Sequence, residues 1–371
     1  MSPLESSSTA SIFKWLWSEW FWLKPGVTWK DLEPDEDVPN GTHHTDLYIL
    51  PFLMAFLIYV MRDYFLLPCV FNPLGQYYGV RSKPYRAPEN NAILQRLYKV
   101  NRARPPQHLL QKCAKEVGWT ERKVERWLRQ MALSKQMTTL EKFSGFGFQF
   151  VYFTSAVVIG LIILPQENYF WDLRKCFEDY PKVIFPLGLK LYYMLTMGFY
   201  IVETFLLFKF TKRHDFYIML IHHCCSLFIL SFCYIAKFMK IVTLSILVHD
   251  VVDIFISSGK LFNYCGRTDM AKLMFVLFSI VWFPTRLVLF PLWIIRTTLF
   301  VGPDVYGCRW PSQYFLNTLN FILLALHCMW TKDLLAVINA KLFRNVEIVD
   351  TRSSPEEMSD DELKNNSNKK K

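Results

Sequence analysis

The apolar residues of this chain fall in long blocks rather than in the short alternations typical of a soluble core. A block of about twenty apolar residues matches the ~30 Å hydrocarbon thickness of a bilayer when it is helical. Because hydrocarbon offers no water to unpaired backbone groups, each block is expected to be an α-helix. The pattern predicts an all-α polytopic membrane protein with about seven transmembrane helices, at 47–67, 146–164, 187–208, 216–236, 241–258, 273–295 and 314–337.

The sixth of these blocks contains Pro284 and Arg286. Proline lacks the backbone N–H that a helix uses at each position, so a kink is expected there.

Lysine and arginine are distributed unevenly between the loops. Segment 68–145 holds 15 Lys and Arg against 5 Asp and Glu, which places it in the cytosol. The N-terminus is then lumenal and the C-terminus cytosolic, and the sequon at Asn40 lies on the side where glycosylation occurs. We expect a lumenal, interfacial segment at 1–46, a first transmembrane helix at 47–67, a cytosolic region at 68–140, a membrane domain at 141–340 and a disordered cytosolic tail at 341–371.

The first 46 residues do not read as a cleaved signal peptide, because their apolar part is interrupted by charge and rich in tryptophan. Tryptophans of this density are typical of a segment that lies at the membrane interface; they are Trp15, Trp17, Trp20, Trp22 and Trp29.

Two of the nine cysteines, Cys176 and Cys308, fall in loops on the same, lumenal side. A disulfide between them is one alternative and two unpaired thiols are the other.

The cytosolic segment contains "TERKVERWLRQM", Thr120 to Met131, which resembles the third helix of a homeodomain. Helices at 89–99, 106–116 and 120–133 would complete a small three-helix homeodomain-like module. Gln130 stands where the homeodomain pattern has its adenine-reading asparagine, and the module lies between membrane spans. We therefore expect no nucleic-acid partner, and a module that faces an anionic leaflet or a polyanionic substrate. A membrane-tethered DNA-binding protein is the alternative.

Five ionisable side chains stand inside the apolar stretch from Asp215 to Phe255: His222, His223, His249, Asp250 and Asp253. If the helices at 216–236 and 241–258 pair antiparallel, His222 lies roughly 10 Å and His249 roughly 14 Å from the cytosolic end of its helix. Charged groups in hydrocarbon are costly and need partners or water. The pattern predicts a buried functional site that opens towards the cytosol, whereas polar helix packing is the structural alternative.

Histidine beside carboxylate suits acyl transfer, because an imidazole can act as base or nucleophile while an aspartate orients it. The H-x-x-H-H clusters of membrane diiron enzymes are missing. One Zn²⁺ held by two histidines and an aspartate is the rival hypothesis, although we expect no metal.

These residues resemble the Lag motif of the ceramide synthases, within the TLC membrane domain. The motif is "IHH" followed by "HDVVD" and then Lys260. Supporting matches are "FWLKPGVTWKDLE" near the N-terminus, "KRHDF", "DYP", "TRLVLFP" and the degenerate homeodomain. The sequence departs from the family pattern at Ser257, where a glutamate is common, at Lys237 for asparagine and at Val242 for glycine.

The resemblance implies an enzyme of the endoplasmic reticulum membrane that joins the acyl group of a fatty acyl-CoA to the amine of a sphingoid base. It implies His222, His223, His249, Asp250 and Asp253 as catalytic residues and acyl-CoA as co-substrate, with no separate cofactor. It also implies that the lumenal loop after the sixth helix sets acyl-chain length. The resemblance is also compatible with a homodimer, or with a heterodimer that includes a related synthase. Candidate coenzyme A contacts at the cytosolic mouth are Lys209, Lys212, Arg213 and Lys260.

Two further side chains, Arg286 and Asn320, lie deep in the last two helices, where we expect them to shape or hydrate the cavity for the acyl chain. His327 is expected to serve helix packing. A non-enzymatic TLC-domain protein that handles lipid or accompanies the translocon is the alternative function.

Overall fold

The computed structural model describes residues 17–33, 43, 45–82, 86–101, 105–209 and 215–344. Throughout these residues the ordered secondary structure is helical, with no strand. Among the described residues, seven helices are long and apolar enough to cross a membrane, which confirms the predicted all-α polytopic fold. They are span 1 (Asp46–Tyr77), span 2 (Glu121–Gln166, with Thr139–Ile163 as its continuous helix), span 3 (Leu187–Lys209), span 4 (Phe216–Ile235), span 5 (Met239–Tyr264), span 6 (Thr268–Tyr306) and span 7 (Pro311–Ala340).

The spans pack as a closed ring in the order 1, 3, 4, 7, 6, 5, 2 and back to 1. Spans 4 and 5 follow each other in the chain, yet span 4 packs mainly on spans 3 and 7, and span 5 on spans 2 and 6. Side chains from spans 4 and 5 therefore meet inside the ring, where span 7 also reaches them.

Spans 1 and 6 both widen from α-helix into π-helix partway along. In span 6 the π-helical stretch Pro284–Ile295 begins at the proline, whose ring nitrogen cannot donate to the preceding turn. In span 1 the stretch is Met61–Phe71, and it contains the buried Arg62. The irregularity expected at Pro284 thus takes the form of a widened helix, which carries Arg286 into the ring.

Span 1 lies very close to span 3. A Cβ built on Gly198 would lie 2.7 Å from the Cβ of Met54 and 2.8 Å from the backbone nitrogen of Ala55. Only a glycine allows two helix backbones to approach this closely. A hydrogen bond also joins span 2 to span 3: the side-chain amide of Gln149 in span 2 donates to the Glu203 carboxyl group of span 3 at 2.9 Å.

One end of the ring, which we call the capped end, is covered by the N-terminal segment. The Trp22 ring is buried and stacks on Phe232 at the end of span 4, with 4.4 Å between ring centroids. The Trp22 carbonyl accepts hydrogen bonds from Trp310 Nε1 and Ser312 Oγ, both at 3.0 Å. Trp20 is 61% exposed. The described part of the segment therefore packs on the ring through Trp22 and presents Trp20 outward.

The opposite end, the basic end, carries Lys209 and Lys260 where spans 3 and 5 finish. On the N-terminal side of Thr139–Ile163, the continuous helix of span 2, three helices surround one apolar core, as predicted: Ala92–Asn101, Gln107–Val117 and Glu121–Ser134. Thr120 caps the third helix by accepting from the Lys123 backbone. The Gln130 amide donates to the Arg86 carbonyl at 3.1 Å. Gln130 is thus used inside the module, whose likeness to a homeodomain stays a prediction.

Cys176 and Cys308 are both free thiols, and burial raises the pKa of Cys176 to about 12. Asn40 and the tail beyond residue 344 lie outside the described residues.

Candidate active site

The two adjacent histidines of span 4 have different surroundings. His223 is buried, and its Nδ1 lies 3.2 Å from the Thr204 hydroxyl of span 3. That hydroxyl already donates its proton to the Tyr200 carbonyl at 2.6 Å, so His223 Nδ1 must be the donor. His223 therefore ties span 4 to span 3 through a protonated Nδ1.

His222 faces the interior of the ring and is half-buried. Its imidazole lies edge-on to Trp330 of span 7, with centroids 5.4 Å apart, and 6.2 Å from the Tyr200 ring. Its Nδ1 is buried without a hydrogen-bond partner in the described part of the chain. His222 is thus held by aromatic contacts and keeps a ring nitrogen available.

His249 of span 5 has a defined tautomer. Its Nδ1 lies 2.6 Å from the Ser245 carbonyl, which can only accept, so Nδ1 carries the hydrogen. Its Nε2 is buried and has no partner among the described residues. The neutral ring then presents a lone pair on Nε2. A backbone carbonyl, rather than an aspartate, orients this histidine.

His327 of span 7 belongs to the same cluster, although it was expected only to serve helix packing. It is 1% exposed, and its ring centroid lies 5.3 Å from that of His249 and 5.0 Å from that of Phe290. Together with Trp330, it links His249 to His222 across the ring. A signal was present, because buried polar residues recur at helical spacing along span 7: Gln313, Asn317, Asn320, His327 and Thr331.

Arg286 connects span 6 to the carbonyl groups beside His249. Its Nη2 donates to the His249 carbonyl at 3.0 Å and its Nη1 to the Val248 carbonyl at 3.4 Å. The same Nη2 lies 3.9 Å from Asp253 Oδ2, and the guanidinium stacks 5.3 Å above the Trp282 ring. Arg286 is 5% exposed. It is therefore a buried cation within the histidine cluster. The expectation was that Arg286 would shape or hydrate the cavity for the acyl chain, whereas its contacts are with the residues of the cluster.

The two aspartates of span 5 lie on neighbouring faces of the helix. Asp253 approaches Arg286, and its side chain is 35% exposed, so the site opens here towards the basic end. Asp250 is 2% exposed, and its Oδ2 has no partner within the described residues. Ser257 donates to the carbonyl of Asp253 at 2.6 Å, within its own helix, and so adds no acidic group.

An apolar cavity of about 50 Å³ lies between Ser245 and the capped end. Ser245, which bonds His249, forms one part of its wall. Val242 and Asn320 also line it, as do Phe177 and Phe238 nearer the capped end. Asn320 thus lines the cavity, as expected from its depth in span 7, and the cavity reaches the serine whose carbonyl orients His249.

Of the four proposed coenzyme A contacts, the structure describes two. Lys209 lies 3.4 Å from both Asp63 Oδ2 and the Tyr59 hydroxyl of span 1. Lys260 lies 5.9 Å from the Phe146 ring of span 2. Both are at the basic end. Lys212 and Arg213 fall outside the described residues. In the described part of the chain, no group of three or more His, Cys, Asp or Glu is placed to hold a metal ion.

The site therefore brings His222, His249 and His327 together with Arg286 and Asp253, while His223 contacts the neighbouring helix. Available imidazole nitrogens can accept a proton or attack a carbonyl, and a nearby guanidinium favours negative charge that develops on oxygen. This arrangement suits acyl transfer in a site partly shielded from water.

Comparison with known proteins places these residues in a recognised domain. The family model of the TLC domain matches residues 142–336, which contain spans 3 to 6 and most of spans 2 and 7. Ceramide synthase 5 of Homo sapiens is 32% identical over 366 residues, covering 98% of this chain and 92% of the relative. Ceramide synthase 3 of Mus musculus is 34% identical over 345 residues, covering 92% and 88%. ASC1-like protein 3 of Oryza sativa subsp. japonica is 32% identical over 224 residues, covering 58% and 78%.

Proposed function

The chain belongs to the ceramide synthase family of multi-pass membrane acyltransferases, and from this premise we propose that it transfers a fatty acyl group from acyl-CoA to the amine of a sphingoid base. The observation that carries the proposal is the enclosed pair of imidazoles. His249 Nε2 and His222 Nδ1 are both buried and unpartnered in the described structure, and an apolar cavity reaches Ser245, whose carbonyl accepts from His249.

The thioester is already activated, so the protein must supply a neutral amine and a place for the developing oxyanion. We assign His222 as the base that takes a proton from the attacking amine, with His249 as its partner. The C–N bond forms, the C–S bond breaks, and the proton passes to the departing thiolate of coenzyme A. The Arg286 guanidinium, whose Nε is unpartnered among the described residues, is the cation nearest to this cluster.

A two-step route uses the same residues. His222 would first attack the thioester, releasing coenzyme A with a proton, and the amine would then displace the imidazole from the acyl carbon. Intact-mass analysis of the protein incubated with acyl-CoA alone separates the routes. A rapidly quenched acyl adduct that is lost in His222→Ala indicates two steps, whereas its absence during active turnover indicates direct transfer.

Substrate access follows from polarity. The nucleotide of coenzyme A is too polar for hydrocarbon, so we place it at the basic end near Lys209, Lys212, Arg213 and Lys260. The acyl chain then extends through the apolar cavity towards the capped end. The expected orientation makes the basic end cytosolic and the capped end lumenal, in the endoplasmic reticulum membrane.

The segment Arg296–Gln313 lies where this cavity ends, because Thr298 and Gln313 both line the cavity. We propose that this segment limits acyl-chain length. Exchanging it for the equivalent segment of a relative with a different product should shift the product profile. An unchanged profile in an active chimera would refute this role.

The direct test of the catalytic assignment compares His222→Ala and His249→Ala with His108→Ala, which changes an exposed histidine of the three-helix module. Each site variant should lose at least 100-fold in ceramide formation, while the control keeps wild-type activity. A folded His222→Ala or His249→Ala protein with wild-type activity would contradict the assignment.

A further inference from the structure

A group of tyrosines on spans 2 and 3 lies near Asp250, and the mechanism proposed above does not use this group. Tyr152, Tyr192 and Tyr200 each interact electrostatically with Asp250. Tyr152 comes from span 2, and the other two come from span 3. The group therefore lies at the junction of spans 2, 3 and 5, adjacent to the histidine cluster.

The polar atoms of this group are buried and incompletely paired. Asp250 and Tyr192 are each 2% exposed, and both Asp250 Oδ2 and the Tyr192 hydroxyl have no hydrogen-bond partner in the described part of the chain. The Tyr192 hydroxyl lies against the backbone of span 2, since a Cβ on Gly160 would be 3.0 Å from it. Buried polar atoms of native proteins are nearly always paired, so the group is suited to a polar ligand.

Arg286 does not pair directly with Asp250. Its terminal nitrogens donate to the carbonyls of Val248 and His249 and approach Asp253. Asp250 is thus a buried carboxylate with no ion pair among the described residues, inside a membrane domain where an uncompensated negative charge is costly. A cationic ligand is the partner that such a carboxylate favours.

The position of the group relates it to the reaction. Tyr200 belongs to the group and also lies near the histidines of span 4, because its ring centroid is 6.2 Å from that of His222 and 5.8 Å from that of His223. The same tyrosine interacts electrostatically with Asp250. A ligand on Asp250 would therefore bring its reactive atom close to the imidazoles.

We infer that Asp250, Tyr152, Tyr192 and Tyr200 form the subsite that binds the amino-diol head of the sphingoid base. This inference rests on the proposed function. Of the two substrates, only the sphingoid base carries a cation, with a primary ammonium flanked by hydroxyl groups. The carboxylate pairs with the ammonium, and the phenol groups donate to and accept from the hydroxyls. Acyl-CoA is anionic, so Asp250 disfavours it.

The test uses the purified full-length protein with Tyr192→Phe and Tyr152→Phe, which keep the aromatic rings and remove only the hydroxyls. Initial rates are measured against sphinganine and against acyl-CoA. Each variant should raise KM for sphinganine roughly tenfold and leave KM for acyl-CoA unchanged. The matched control is Tyr193→Phe, which removes a buried hydroxyl that donates instead to the Leu230 carbonyl at 2.6 Å. It should leave the ratio of the two KM values at the wild-type value.

A substrate analogue sharpens the test. Wild-type protein should discriminate sphinganine from 1-deoxysphinganine, which lacks one hydroxyl, and at least one of the two phenylalanine variants should treat them alike. The subsite is refuted if both variants are active with an unchanged sphinganine KM, or if the KM values for both substrates rise in proportion. If wild-type protein acylates neither base, the proposed function itself fails, which is a separate outcome.

Discussion

Adjacent histidines in span 4 perform different tasks because successive side chains of an α-helix diverge by about 100°. His223 points at span 3 and donates to Thr204, whereas His222 points into the ring against Trp330. The pair therefore combines one imidazole that we propose as the reactive one with one that bonds span 4 to span 3.

This division predicts that Thr204→Val and His223→Ala share one phenotype. Each removes the same hydrogen bond between spans 3 and 4, so each should lower the unfolding midpoint of the purified protein as well as its activity. The double variant should be no worse than the more severe single variant. His222→Ala should abolish activity with little change in unfolding midpoint. Fully additive losses in the double variant would contradict the assigned pairing.

The side chain of Val242 provides a second prediction for a single residue, because it lines the same cavity as Ser245. If the acyl chain occupies this cavity, Val242→Phe should shift the products towards shorter acyl chains and Val242→Ala towards longer ones. Mass spectrometry of ceramides formed from mixed acyl-CoAs measures both changes. The control is Val252→Ala, a buried valine of the same span that packs on Phe278 and Trp282 instead. Equal profiles for Val242→Ala and Val252→Ala would place the acyl chain elsewhere.

The sequence identifies some of the site residues and leaves out others for a physical reason. Histidines and aspartates within an apolar stretch are conspicuous, because hydrocarbon penalises them. Tyr152 and Tyr192, which we propose for the subsite at Asp250, are not conspicuous, because tyrosine is common in membrane helices. Only the packing of spans 2, 3 and 5 brings both near enough to Asp250 to interact with it electrostatically. For His327 the sequence predicts only a role in helix packing, since a single histidine in a span has no other histidine at helical spacing to indicate a site.

Helix pairing decides how the site is assembled. The short link between spans 4 and 5 suggests a hairpin whose two helices face each other, but each of them packs mainly on other helices. His222 and His249 are therefore connected through Trp330 and His327 of span 7. A short loop fixes which ends are adjacent, whereas the packing of the remaining helices fixes which faces meet.

Close contact between spans 1 and 3 depends on Gly198. Gly198→Ala would place a methyl group 2.8 Å from a backbone nitrogen, which cannot move independently of span 1. We expect a loss of about 1–3 kcal/mol in the free energy of unfolding, seen as a lower unfolding midpoint. The control is Gly188→Ala in the same span, where the added Cβ would meet only Ile163 Cδ1 at 3.7 Å. Equal stability of the two variants would show that spans 1 and 3 are separated more widely.

The molecule as a whole is a ring of seven helices covered at one end and open near Asp253 towards the other. Number, order and approximate position of the helices follow from the sequence, because membrane thickness fixes their length and hydrocarbon enforces helicity. The sequence does not predict that the N-terminal segment covers one end of the ring, since a tryptophan-rich segment is equally suited to a lipid interface and to a protein surface. Trp22 is buried against the ring of helices, whereas Trp20, two residues earlier, is exposed.

Trp22→Ala should therefore destabilise the whole molecule. Its ring is 2% exposed and stacks on Phe232, so truncation leaves a cavity between the N-terminal segment and the ends of spans 4 and 7. We expect a cost of about 3–5 kcal/mol, measured as a lower unfolding midpoint of the full chain. Trp20→Ala, in the same short helix but exposed, should change stability by less than about 0.5 kcal/mol. The opposite ranking would show that the segment is not held by Trp22.

The most direct measurement incubates the purified full-length protein with sphinganine and a series of acyl-CoAs, and quantifies amide and free coenzyme A by mass spectrometry. The account predicts equal amounts of both products, over a limited range of acyl lengths, and none from a folded His222→Ala protein. Folded wild-type protein that forms no N-acyl product with any acyl-CoA, or a His222→Ala protein as active as wild type, would contradict it.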